Sequence, residues 1–290
     1  MGIINRIKII LNQSKNDWKY NVHHFQMHTN GSDEIQYATL RMYCHMLDKG
    51  MNNPNFEKGH SLPIYKKAVE LKNNLSNKYK EDICFTWVDE ILARFSKAQQ
   101  EGKPNLIVSQ PFEYGEAKIK EYSEFIKRRT SCRSFKEQLI PSTIIKKIID
   151  IAVDAPNGCC RQVVRYYITQ NKDKVSRLIP HIAGVTNFSN IQCMVCVAAE
   201  ASYYELQDKN LQYIDAALSA ENFILAASLY GIYGTMCNFF HATKKDMSEC
   251  KKELGLKETE NIVMFIVIGY PTVIPEKPLR RNLNVFYKEV

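Results

Sequence analysis

Residues 212–230 form a helical stretch rich in small and apolar side chains, with Ala216, Ala217, Ala220, Ala226 and Ala227 among them. Such a helix is apolar nearly all round and belongs inside a protein rather than on its surface. One sheet can cover only one of its faces, so a second helix or a second subunit must cover the rest. The strands for that sheet are legible nearby. VVRYYIT (163–169) is β-branched and aromatic, IQCMVCVAA (191–199) is continuously apolar, and 232–239 is a weaker candidate. IVMFIVI (262–268) is the most hydrophobic and is stopped by Gly269 and Pro271. With helices expected from Lys118 to Arg128 and from Pro141 to about Ala152, the second half reads as α+β, a sheet flanked by helices.

The first hundred residues read differently. Ile35, Ala38, Leu40, Tyr43 and Leu47 recur at helical spacing, as do Ala68, Leu71 and Leu75 after Pro63, and Ile83, Val88, Ile91, Leu92 and Phe95 over 82–99. EGKPNLIVSQPFEYGE (101–116) has two prolines, two glycines and no period, and reads as a linker or arm. The expected organisation is therefore 1–115, a helical N-terminal extension with its arm, then 116–290, an α+β domain. The first residues, MGIINRIKIILNQSK, suggest a short amphipathic or packed helix and lack the cleavage site of a secretory signal. No run of 18 apolar residues exists, so no membrane span is expected.

The formal net charge is +8. Fifteen basic residues stand against twelve acidic up to residue 115, and 24 against 19 after it, so the excess is spread out. That argues against a nucleic-acid arm and suits a protein that binds anionic cofactors. Nine cysteines, several inside apolar runs, fit a reducing, cytoplasmic setting. Cys193 and Cys196 form a C-x-x-C, but residues three apart on a strand face opposite ways, so neither a metal nor a redox pair is expected.

Four segments carry candidate chemistry. RRTSCRSF (128–135) offers Arg129, Thr130, Ser131 and Arg133, and arginine forks with hydroxyls suit phosphate and ribityl oxygens. APNGCCRQ (155–162) is a turn into a strand, where Asn157, Arg161 and Gln162 could meet a planar heterocycle. GIYGTMCNFF (231–240) has glycines that permit close backbone approach. IGYP followed by EKPLRRN (268–282) delivers Lys277, Arg280 and Arg281. Each alone is equally an ordinary turn or basic surface.

Together, in this order, they resemble the nitroreductase family, whose members show R-R-S-x-R-x-F, A-P-S-x-x-N-x-Q, G-L-G-T and G-Y-P segments. The counterparts are Arg129, Ser131, Arg133 and Phe135; Ala155, Pro156, Asn157 and Gln162; Gly231, Gly234 and Thr235; and Gly269, Tyr270 and Pro271. The resemblance covers about 175 residues and implies a nitroreductase-like central mixed sheet flanked by helices. It implies an oxidoreductase that binds FMN and passes electrons between NADH or NADPH and a small organic substrate, by ping-pong hydride transfer through flavin N5. It also implies a homodimer with FMN near the subunit interface. Arg129, Thr130, Ser131 and Arg133 would hold the phosphate and ribityl chain, with Lys277 and Arg280 (or Arg281) adding charge. Asn157, Cys160 and Gln162 would face the pyrimidine ring, and the Met236–Cys237–Asn238 backbone would lie near N5. No separate catalytic acid or base is required, since the redox chemistry belongs to the cofactor.

Three departures bear on the substrate class. Cys160 stands where the family has Asn, Val163–Val164 replaces an aromatic pair, and Asn157 replaces the Ser of A-P-S. The altered turn leaves open an accessory protein, with or without flavin, docked to a biosynthetic assembly. Upstream, HMLDKGM (45–51) resembles an H-x-L-E-K-G-L segment found ahead of some nitroreductase-like domains. His45, Asp48 and Lys49 suggest a polar network on a lid or docking surface. The plainer reading is a helix C-terminus ended by Gly50, with Lys49 facing the dipole.

Overall fold

The computed structural model describes residues 31–106 and 110–290, so the helix expected over residues 1–15 lies outside the described residues. The chain divides into two compact units. One takes the chain up to Pro111 together with Pro156–Val163 and Glu200–Asp215; the other takes Phe112–Ala155, Val164–Ala199 and Ala216–Val290. Two segments from late in the sequence thus pack with the N-terminal helices.

In the helical unit, α1 (Asp33–Met51), α2 (Leu62–Tyr79) and α3 (Ile83–Glu101) surround one apolar core. Ser32 caps α1 by accepting from Ile35 N–H, and Asp82 caps α3 by accepting from Cys84 N–H at 2.8 Å. Gly102, in the left-handed region, closes α3. Most of the expected apolar residues line the interior, with Leu40, Leu47, Leu75, Val88, Ile91 and Phe95 all buried; Ile83, at the first position of α3, is instead exposed. Tyr37 stacks on Tyr79 with ring centroids 4.3 Å apart. Gly50 does not end α1. The helix runs on to Met51 and is capped by Asn52, whose N–H reaches the carbonyls of Asp48 and Gly50. Gly50 is tolerated inside the last turn because an added Cβ there would make only ordinary contact with the His60 ring.

In the second unit the order is α4 (Glu116–Arg128), α5 (Ser142–Val153), β1 (Val164–Thr169), α6 (Lys172–Leu178), β2 (Cys193–Glu200), α7 (Leu211–Leu229), β3 (Tyr233–Asn238), α8 (Lys244–Leu254) and β4 (Glu260–Gly269). The outermost residues of β2 and α7 (Glu200 and Leu211–Asp215) count with the helical unit. The four strands form one sheet in the order β1-β2-β4-β3. β1 and β2 run antiparallel from Val164↔Ala199 to Thr169↔Met194, and β3 and β4 antiparallel from Tyr233↔Gly269 to Asn238↔Met264. β2 is buried at every position, which is why its sequence shows no alternation. Tyr167 on β1 donates to Glu260 on β4 at 2.6 Å. Burial pushes the Cys193 thiol up to about 12 and Cys196 well above its usual value, so both behave as packing residues.

Helix α7 is less covered than its composition implies. Ala216, Ala220, Phe223, Ile224, Ala226 and Ala227 are buried, whereas Ile214, Leu218 and Leu229 are exposed. Leu229 lines a cavity with Ile119, Tyr122 and Phe125 of α4, while Ile214 and Leu218 stay open. Two elements the periodicity does not announce are α6 and α8, both charge-rich. Their caps do announce them: Asn171 accepts from Lys174 N–H, and Thr243 with Asp246 forms a capping box.

Candidate functional site

Three of the four motif segments lie in the second unit and interlock through backbone bonds. Cys132 N–H donates to Gly234 C=O at 3.2 Å, and Thr235 Oγ1 donates to Cys132 C=O at 2.8 Å. Lys136 N–H donates to Tyr270 C=O at 2.8 Å, and Thr272 N–H to Ser134 C=O at 3.1 Å. The arginine-bearing segment is therefore stitched to the start of β3 and the end of β4. Its glycines have specific work. A Cβ on Gly234 would stand 2.1 Å from Val267 O, and one on Gly269 would stand 2.8 Å from the buried Phe135 ring. Gly231 takes a left-handed φ of +69° and lets the chain leave α7, with Ile232 N–H returning to Ala227 C=O.

This stitching gathers cations from distant parts of the sequence. Lys277 Nζ reaches Ile126 C=O at 3.4 Å, beside Arg129 at the end of α4. The Lys277 ammonium is held below its usual range, first by partial burial and then by Arg129 and Arg280, with Glu221 opposing. Three positive groups that disfavour one another form a place where an anion is favourable. Arg133 is exposed, with its guanidinium 5.9 Å from the Phe188 ring centroid, and its charge is felt at the Cys237 thiol. Along β3, Met236 and Asn238 are exposed while Cys237 is buried, its thiol pushed up to about 11 by burial. β3 is an edge strand, so its outer side is available beyond the Ser131↔Gly234 bridge.

The fourth segment belongs to the helical unit. After Asn157 the chain turns sharply: Cys159, Cys160 and Gln162 have φ of 53°, 55° and 53°. Left-handed non-glycine residues cost roughly 1–3 kcal/mol each and persist where the surroundings impose them. Several groups do so here. Gln162 N–H donates to Asn157 Oδ1 at 3.1 Å, and Gly158 N–H donates to both carboxylate oxygens of Asp215. Tyr204 donates its hydroxyl to Asp215, whose pKa is raised by burial. Arg41 of α1 donates to the carbonyls of Cys160 and Arg161. Cys160 Sγ lies 3.6 Å from His45 Nδ1, and burial raises its pKa, so it is a weak nucleophile at neutral pH. Arg161, a candidate donor to a ligand, is instead buried: its Nη2 faces Met42 Sδ at 3.0 Å and Asp208 at 3.7 Å. Asp48 pairs with Arg94 at 3.1 Å rather than with His45 or Lys49.

The nitroreductase family model matches residues 126–195 and 185–270, together half of the chain. The chain belongs to the nitroreductase family. It is 24% identical over 165 residues to a Methanothermobacter thermautotrophicus protein named for NADH dehydrogenase and NAD(P)H nitroreductase, covering 55% of this chain and 81% of that one. Solved structures share the fold. A nitroreductase-like protein from Streptococcus mutans matches with a TM-score of 0.53 at 17% identity, over 59% of this chain and 99% of its own. A Parabacteroides distasonis protein, named like the Methanothermobacter one, matches with a TM-score of 0.53 at 18% identity, over 59% of this chain and 98% of its own.

Within the nitroreductase region, Arg129 lies near Lys277 and Arg280, whereas Ser131 bridges to Gly234 of β3 and Arg133 lies near Cys237. Arg129 and Ser131 are half-buried, Thr130 is buried, and Arg281 is not among the charges acting on Lys277. Asn157, Cys160 and Gln162 are held by the helical unit, outside that cluster of bonds. Sequence reading passed over Arg41, Asp208 and Asp215. For Arg41 a signal existed, since it interrupts the apolar stripe of α1 between Ala38 and Cys44.

Proposed function

We propose that this oxidoreductase of the nitroreductase family binds FMN and serves transfer of electrons from NADH or NADPH to a small organic substrate. The observation that carries the reading is the convergence of Arg129, Lys277 and Arg280, with Lys277 held below its usual range first by partial burial and then by its two like-charged neighbours. Such a donor set fits one terminal phosphate. No G-x-G-x-x-G follows a strand here, as a pyrophosphate-binding turn would need. Arg129, Arg133, Lys277 and Arg280 hold the phosphate, Ser131 bonds the ribityl chain, and the outer edge of Met236–Asn238 offers backbone groups to the ring. Bound FMN supplies the redox chemistry; the protein's residues bind it and orient it.

The protein is further proposed to act as a homodimer in a reducing, cytoplasmic compartment. All nine cysteines are free. Ile119 and Tyr122 on α4, Leu229 on α7, and Leu283, Phe286 and Tyr287 in the C-terminal arm are exposed. Apolar surface on this scale is suited to a second copy of the chain.

Lys277→Ala tests the phosphate assignment. A lost charge-assisted hydrogen bond should raise the FMN dissociation constant by about tenfold or more, and added salt should narrow the difference. An unaltered titration in Lys277→Ala removes the basic cluster from the site.

A further inference from the structure

Helix α1 presents a single buried arginine to the strained turn. Arg41 is 6% exposed, and its guanidinium lies 4.5 Å from the Tyr37 ring centroid. Nε donates to Cys160 C=O at 3.3 Å and Nη2 to Arg161 C=O at 2.8 Å. These consecutive carbonyls sit between left-handed Cys159 and Cys160 on one side and left-handed Gln162 on the other. A planar guanidinium with five donors and no acceptor can take both carbonyls from one fork, which fixes the direction of two peptide planes at once. One turn along the same helix face, His45 Nδ1 lies 3.6 Å from Cys160 Sγ, so α1 also holds the thiol.

We infer that Arg41 is the positioning residue of the 157–162 turn, and that α1 thereby sets how far the Cys160 thiol is open to solvent. It gives the helical extension a defined task, which is to impose a backbone conformation that the turn's own residues disfavour.

Cysteine reactivity in the full-length protein tests it, read as the rate of Cys160 alkylation by iodoacetamide with peptide mass spectrometry, and with fully buried Cys44 of α1 as the internal control. Arg41→Met keeps most of the buried volume and removes every donor; Arg41→Lys keeps the charge and a single ammonium. Cys160 should alkylate about tenfold faster in Arg41→Met, Cys44 should not change, and Arg41→Lys should fall between the extremes. Wild-type alkylation of Cys160 in both variants overturns the positioning role. So does a parallel rise at Cys44, because Arg41 would then hold the whole unit and not the turn.

Discussion

Asp246 shows how one residue joins neighbouring elements. Its carboxylate accepts from Thr243 N–H and Oγ1, closing the capping box of α8, and lies 2.8 Å from His181 Nδ1 beyond α6. The Thr243 hydroxyl bond, and after it His181, bring its pKa down to about 2. A depressed carboxylate contributes stability above its unfolded value and loses it as pH falls toward the folded value. The window is therefore from about pH 4 down to about pH 2. Urea midpoints of wild type and Asp246→Asn should differ at pH 5 and converge as pH falls through that window. A difference that stays constant across it would show that ionisation of Asp246 does not matter. Much at this scale was legible in the sequence. The arginines and hydroxyls of 128–135 stand out in the sequence by their own chemistry, and the structure adds which cations lie near Arg129. Arg41 carried one local signal, an arginine within the apolar stripe of α1, but its acceptors lie about 120 positions away and no local pattern announces them.

Among elements, the β3–β4 pair does the most to build the candidate site. Gly234 faces Ile268 across the ladder, and its carbonyl takes the Cys132 N–H. With Val267 O at 2.1 Å from any added Cβ, Gly234→Ala must push backbone against backbone. Overpacking of this kind typically costs about 1–3 kcal/mol, and here it also displaces the 129–133 segment. Lower thermal stability together with weaker FMN binding is the expected result, by calorimetry and titration; an Ala variant matching wild type in both would contradict the packing described. Helix and strand positions were largely readable because periodicity and apolar runs are local. α6 and α8 escaped because short charged helices have little apolar period, although their caps were in plain sight. Neither could the sequence show that α7 keeps an apolar stripe exposed, since cover for a helix comes from elsewhere.

For the molecule as a whole, the family match covers most of the second unit and also the two later segments of the helical unit, Pro156–Val163 and Glu200–Asp215, while the three N-terminal helices lie outside it. The proposed dimer follows from exposed apolar side chains in α4, α7 and the C-terminal arm. Light scattering should give a dimer at micromolar concentration, and Leu283→Ser with Phe286→Ser should shift it toward monomer; a monomeric wild type would contradict this. The central claim is the cofactor. Its most direct test is the absorption spectrum of the purified full-length protein, followed by addition of NADH or NADPH and mass spectrometry of what denaturation releases. A flavin spectrum bleached by a nicotinamide donor, with FMN released, is the expected result. Colourless protein that takes up no added FMN, or a protein that releases FAD, would contradict it.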